Sequence, residues 1–221
     1  MNKPNQAIII GGGASIKEGI SLGLWDMLKD RFVINCNLSF RHFLGTFMIC
    51  VDGDGFIKRT VEMQALPLIF ALDTHQGIEY PSNTILFKES LIYHERDSFT
   101  KGIYMQSLVG IPAIVTAIQL LQGIGYIFLL GYDWSKYTTD THFYQDEHRG
   151  QGFTDYYEKH NPDKQLVPLL QETNIKIYNV SLQSNINCFE KISYPTMFNI
   201  LDDVRYDQNE LRKYINKLAK N

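Results

Sequence analysis

A basic excess is missing from this chain. Its 221 residues hold 21 Lys and Arg against 24 Asp and Glu, a formal net charge of −3. An electrostatic footprint for nucleic acid is therefore not expected. Also missing is any apolar run of the ~18 residues that a membrane-crossing helix needs, so no transmembrane segment is expected. Only MNKPNQ precedes the first apolar run, without the apolar stretch and cleavage site of a secretory signal. Cysteine is scarce. Cys36, Cys50 and Cys188 are odd in number and lack zinc-type spacing, which argues against a disulfide framework or a zinc site. The expectation is a cytoplasmic protein with reduced, buried or half-buried thiols. Repeats and low-complexity tracts are absent as well.

What is present is short, β-rich apolar runs separated by helical stretches. The strands expected are Ala7–Ile10, Phe32–Cys36, Phe47–Val51, Leu68–Leu72, Thr84–Phe87, Tyr126–Leu130 and Ile175–Val180. Continuously apolar strands fit a parallel sheet covered on both faces. Helical periodicity covers Lys17–Lys29 and Gln208–Ala219. Ile111–Gln122 reads as an apolar helix with Pro112 in its first turn, ended by Gly123 and Gly125. With 44% hydrophobic residues, the chain is long enough to bury one core. The expected fold class is α/β, a modified Rossmann-like, mostly parallel sheet with helices on both faces. The whole of 1–221 is expected to form a single nucleotide-binding domain. The polar, aromatic-rich segment at about 138–165 reads as a small lid.

Candidate site residues follow from the strand ends. In a doubly wound sheet, ligands sit beyond the carboxyl ends of the strands. After the first strand come Gly11, Gly12 and Gly13, then Ser15. Such a turn brings backbone N–H groups toward an anion, and Ser15 suits a helix cap or a phosphate contact. The full G-x-G-x-x-G pattern is not met, and the Walker lysine is absent. The second strand ends at Asn37, where NAD-type folds place an acid for the ribose. An amide reads a sugar or base edge without charge, which disfavours NAD and S-adenosylmethionine and leaves other nucleotides open. The third strand runs into Asp52-Gly53-Asp54-Gly55, where two carboxylates suit Mg²⁺ or substrate hydroxyls. The strand Tyr126–Leu130 is followed by Gly131, Tyr132 and Asp133. In the lid, His142 and His148 are the candidate general acid or base.

Taken in order, these motifs resemble a family. G-x-G-x-S after strand one, C-N after strand two, an Asp or Asn after strand three (here Asp52), T-x-G-x-Y-M before an apolar helix and L-x-G-x-D after the next strand occur together. They resemble the Campylobacter-type bacterial sialyltransferases, and equally the hydroxymethylpterin pyrophosphokinase-like family, which includes flagellin-modifying glycosyltransferases. The resemblance spans roughly residues 6–60 and 98–190. It implies a Rossmann-like nucleotide domain with a lid, and transfer of a group from an activated nucleotide donor.

Position by position, Asn37 matches an asparagine expected at the cytidine ribose or base. Gly12 and Asp52 stand where the sialyltransferases carry donor-contacting asparagines. Thr100–Met105 matches a T-S-G-V-Y-M stretch, with Lys101 in place of a serine beside Gly102. Asp97 and Ser98 stand where an arginine is expected. The sialyltransferase histidine lies in an H-x-x-x-H arrangement. Here His142 and His148 are six apart, and both stay open, although the T-H of the pyrophosphokinase-like family favours His142.

The expected function is thus a sialyltransferase-like glycosyltransferase, passing a sugar from a nucleotide sugar to an acceptor hydroxyl and requiring no cofactor. The alternative is a Mg²⁺-dependent pyrophosphokinase, with Asp52 and Asp54 as metal ligands. A third reading is a degenerate, non-enzymatic nucleotide-binding module. Expected partners are the donor, an unidentified acceptor and a second copy of the chain, with no nucleic acid.

Overall fold

The computed structural model describes residues 3–51, 60–73, 78–90, 103–104, 110–122, 124–134, 142–144, 162–167 and 174–220. Ten strands lie within them: β1 (Gln6–Ile10), β2 (Val33–Cys36), β3 (Phe47–Cys50), β4 (Ile69–Leu72), β5 (Thr84–Phe87), β6 (Glu89–Ser90), β7 (Ile103–Tyr104), β8 (Ile124–Leu130), β9 (Asn174–Asn179) and β10 (Glu190–Lys191). Eight of them form one sheet in the order β10-β9-β8-β1-β2-β3-β4-β5, and every pairing is parallel. The expected α/β class with a parallel sheet is what the chain adopts. All seven strands expected from the apolar runs are present, with ends shifted by a residue or two. The short pair β6–β7 and the edge strand β10 carry too few apolar residues to be read from pattern.

Both faces of the sheet are buried, which is why the strands are continuously apolar rather than alternating. One face carries Ala7, Ile9, Ile34, Phe47, Ile49, Phe70, Ile127 and Leu129. Against it pack α4 (Gly110–Leu121), with ten of twelve residues buried, and the i, i+4, i+8 stripe Leu211, Ile215, Ala219 of α7 (Gln208–Ala219). The other face carries Ile8, Ile10, Val33, Phe128, Leu130 and Tyr178. It is covered by α1 (Ile16–Ser21), α2 (Leu24–Leu28) and α6 (Tyr194–Ile200). Two short helices, α3 (Thr60–Gln64) and α5 (Pro162–Leu166), complete the described set, with a 3-10 turn over Asn37–Arg41.

One helix expectation is corrected. Lys17–Lys29 is not a single helix but two, broken at Gly23, whose φ of +83° lies in the left-handed region. Periodicity alone does not reveal the break, because Ile16, Leu24 and Leu28 keep facing the sheet on both sides of it. The apolar helix α4 runs as expected, and Gln122, with φ +53°, turns the chain out of it. Gly123 lies outside the described residues.

Topology sets the position of the site. From β1 the chain steps outward through β2, β3, β4 and β5. It then returns to β8 on the opposite side of β1. The direction reverses between β1 and β8, the switch point at which such sheets leave a crevice beyond their carboxyl ends. Ile10 and Leu130 are paired at those ends, so the turns that follow them open side by side.

Candidate functional site

The glycine turn after β1 is zipped to the turn after β8. Gly11 N donates to Leu130 O and Gly13 N to Gly131 O, both at 2.8 Å. The two turns are so close that a Cβ on Gly13 would collide with the Asp133 carboxylate and lie 2.6 Å from Gly131 O. Gly131 itself has φ +68°, which a side chain rarely tolerates. These glycines are therefore fixed first by the close approach of the two turns.

Ser15 and Asp133, separated by 118 positions, are brought into direct contact. Ser15 Oγ donates to Asp133 Oδ1 at 2.5 Å and Ser15 N donates to Oδ2 at 2.8 Å. Ser15 makes no capping bond with its own side chain. The carboxylate takes that role across the crevice and offsets the positive end of α1. Tyr194, buried beneath α1, lies so close to Gly19 that a Cβ there would stand 2.6 Å from its Cζ. Burial pushes the Tyr194 phenol well up, and the nearby Asp133 charge adds to the shift.

Tyr132 points the other way. Its hydroxyl donates to Gly110 O at 3.1 Å, at the start of α4, and lies 3.8 Å from Cys36 Sγ. Burial raises both groups, the Cys36 thiol to about 12 and the Tyr132 phenol well above its usual range. Neither is an ionised nucleophile near neutral pH. Cys188 is also raised to about 12, by burial and then by Asp163. The three cysteines are free thiols, as expected.

Asn37 follows β2 with φ +49° and is half-buried at the same sheet edge. Asparagine tolerates that conformation better than most residues, so its identity has a backbone reason as well as a ligand-reading one.

The most informative contact is made by the segment 142–144. Phe143 N donates to Gly12 O at 2.7 Å. The His142 ring then lies over Gly12 so closely that a Cβ there would sit 2.7 Å from Nδ1. Gly12 thus leaves room for an imidazole directly over the glycine turn. Phe143 and Tyr144 continue into an aromatic cluster. His42 stands 5.1 Å from Phe143 and 6.3 Å from Tyr144, while Trp25 stacks on Phe43 at 5.3 Å and meets Phe143 at 6.4 Å. Tyr144 also packs 5.1 Å from His142.

Of the residues expected from sequence, Gly11, Gly12, Gly13, Ser15, Tyr132, Asp133 and His142 meet around the β1–β8 crevice, with Asn37 on the adjoining edge. His148, Asp52, Asp54, Lys101 and Gly102 lie outside the described residues, as does most of the lid. Among the described residues no group of three or more His, Cys, Asp or Glu is arranged to hold a metal ion.

Sequence reasoning missed the supports. Asn35, buried in β2, donates to Ser39 Oγ and Phe43 O at 3.1 Å each and accepts from Gly45 N at 2.8 Å. Asn179 at the end of β9 donates to Tyr132 O at 3.0 Å and to Ser184 Oγ at 2.9 Å. Ser184 Oγ also donates to Tyr132 O at 2.7 Å, and Asn185 N donates to Asp133 O at 2.8 Å. A signal for these existed: both asparagines sit at or next to the carboxyl end of an apolar strand, where a buried amide needs partners.

No family model and no curated protein matches this chain. Among the described residues no helix is long and apolar enough to cross a membrane.

Proposed function

We propose that this protein is a transferase acting on an activated nucleotide donor, and that it moves a sugar from a nucleotide sugar to an acceptor hydroxyl in the manner of the sialyltransferases its motifs resemble. One observation carries the reading: an imidazole, His142, rests on Gly12 at the switch point of a parallel sheet. That puts a side chain of the type suited to general acid or base work in the crevice where such sheets take ligands.

In this reading the donor occupies the edge between Asn37 and the glycine turn. The acceptor oxygen forms its bond to the anomeric carbon as the bond from that carbon to the donor phosphate breaks. The nucleotide leaves with the electron pair, and the acceptor proton passes to His142, with His148 as the other candidate. Lys101 offsets charge on the leaving phosphate. The Mg²⁺-dependent pyrophosphokinase alternative depends on Asp52 and Asp54, which lie outside the described residues.

A thermal-shift panel of CMP, UDP, GDP, ATP and S-adenosylmethionine, each with and without Mg²⁺, tests the reading. A nucleotide at 100 times its Kd adds ~2.7 kcal/mol and raises the melting temperature visibly. Metal-independent stabilisation by CMP, with release of CMP from CMP-sialic acid reduced ~10²–10⁴-fold in His142→Ala, is the expected result. Stabilisation only with Mg²⁺ moves the assignment to the pyrophosphokinase. Binding without turnover moves it to the non-enzymatic module, and no shift with any nucleotide overturns the proposal.

A further inference from the structure

Resting on that reading, the geometry points to Arg41 as the residue that grips the donor phosphate, with Glu62 as the resident carboxylate that the phosphate displaces. The 3-10 turn that begins at Asn37 ends at Arg41, so one short element presents both residues along the carboxyl edge of the sheet. At 2.0 Å rise per residue the turn spans about 8 Å, a length of the same order as a nucleoside monophosphate. His42, the next residue, packs on Phe143 and Tyr144, the segment that carries His142. Arg41 therefore ends the turn next to the residue that packs on the histidine's segment.

Its present partner is exchangeable. Arg41 donates through Nε and Nη2 to the two carboxylate oxygens of Glu62, at 2.8 and 2.6 Å. The fork geometry that matches a carboxylate also matches two phosphate oxygens. Both side chains are more than two-fifths exposed, at 42% and 44%. Solvent reaches and screens both groups, so exchanging the carboxylate for a phosphate leaves no charge buried without a partner. A donor phosphate presents two non-bridging oxygens and one negative charge to the same fork, and the released nucleoside monophosphate carries up to two charges.

Calorimetric titration of the full chain with CMP, UDP, GDP and ATP, carried out on wild type, Arg41→Ala and Glu62→Gln, tests the assignment. Arg41→Ala should weaken the tightest-binding nucleotide about 10- to 100-fold, the loss of a charge-assisted bond. Glu62→Gln should tighten the same nucleotide about 2- to 5-fold, because the competing charge is gone. The opposite signs separate a clamp from a brace, for which both variants would lower the melting temperature alike and leave Kd unchanged. That outcome overturns the inference, as does wild-type binding indifferent to Arg41, and in both cases the nucleotide reading stands. Failure of wild type to bind any of the four overturns the nucleotide reading and this inference together.

Discussion

Gly12→Ala isolates the contact on which the functional reading rests. Gly12 has no positive φ, so alanine meets no backbone penalty there. Its one conflict is steric: the new Cβ would lie 2.7 Å from His142 Nδ1 and 3.1 Å from Cε1 and Cγ. Ordinary van der Waals separation requires the imidazole to retreat by about 1 Å. His142 is only half-buried, so the ring can move without leaving a cavity. Stability should therefore hold. Removing a glycine even favours the fold by ~0.4–1 kcal/mol through the unfolded chain, which sets a ceiling of about 4 °C on any rise in melting temperature. Catalysis should not hold, because a displacement near 1 Å costs on the order of 10²-fold in a positioned group. The assay is release of CMP from CMP-sialic acid, run beside thermal unfolding and the His142 ring resonances. A folded Gly12→Ala protein with full rate, alongside a slow His142→Ala protein, would refute the claim that the glycine turn sets the working position of the histidine.

Two further predictions concern stability. Arg31 is 4% exposed, donates to Met27 O at 2.7 Å, and has its counter-charge in Asp202 at 3.1 Å. Asp202→Ala should cost about 1.5–3 kcal/mol in urea unfolding by removing a charge-assisted bond from a buried cation that keeps Asp203 nearby, and a loss below about 1 kcal/mol would show that Arg31 relaxes toward solvent. Alkaline pH gives the second test. The Cys36 thiol is pushed from 9.0 up to about 12 by burial, so above pH 9 the unfolded chain releases this proton before the folded one. Stability should fall as pH rises between those values, and Cys36→Ala should flatten the decline; identical pH profiles for the two proteins would remove Cys36 as the cause.

The strands were legible because burial on both faces writes each of them as an unbroken apolar run. In β1 that run is Ala7, Ile8, Ile9 and Ile10; in β8 it is Ile127, Phe128, Leu129 and Leu130, and all eight residues are buried. The glycine turn and the L-x-G-x-D turn were legible as strand-end punctuation. Their mutual contact was not, because Ser15 and Asp133 meet only once β8 is inserted beside β1. The split of Lys17–Lys29 was hidden for a related reason: Gly23 changes the chain's direction while leaving the buried stripe intact. Arg41 and His42 gave no signal at all, since a short 3-10 turn has no apolar period to read.

The two ends of the sheet are held by different means, and the difference bears on function. At the amino ends of the strands, side chains tie distant backbone together. Gln6 bonds Ile200 O and Asp202 N, Gln208 bonds Arg31 O and Thr46, and Arg212 bonds Thr46 O and Gly45 O. These bonds fix the C-terminal segment under β1, β2 and β3, where no candidate site residue lies. At the carboxyl ends, side-chain ties through Asp133, Asn179 and Ser184 are joined by direct approach of backbone to backbone at Gly11, Gly13 and Gly131, and an imidazole fills the space over Gly12. Glycine contacts of this kind hold position by excluding atoms, so any added methyl group moves a neighbour. Substitutions at the amino edge should therefore be felt as lost stability; at the carboxyl edge a methyl on Gly13 or Gly131 should cost stability too, since it meets backbone or a positive φ, and Gly12→Ala is the single-carbon addition that should appear as displaced chemistry on an intact fold.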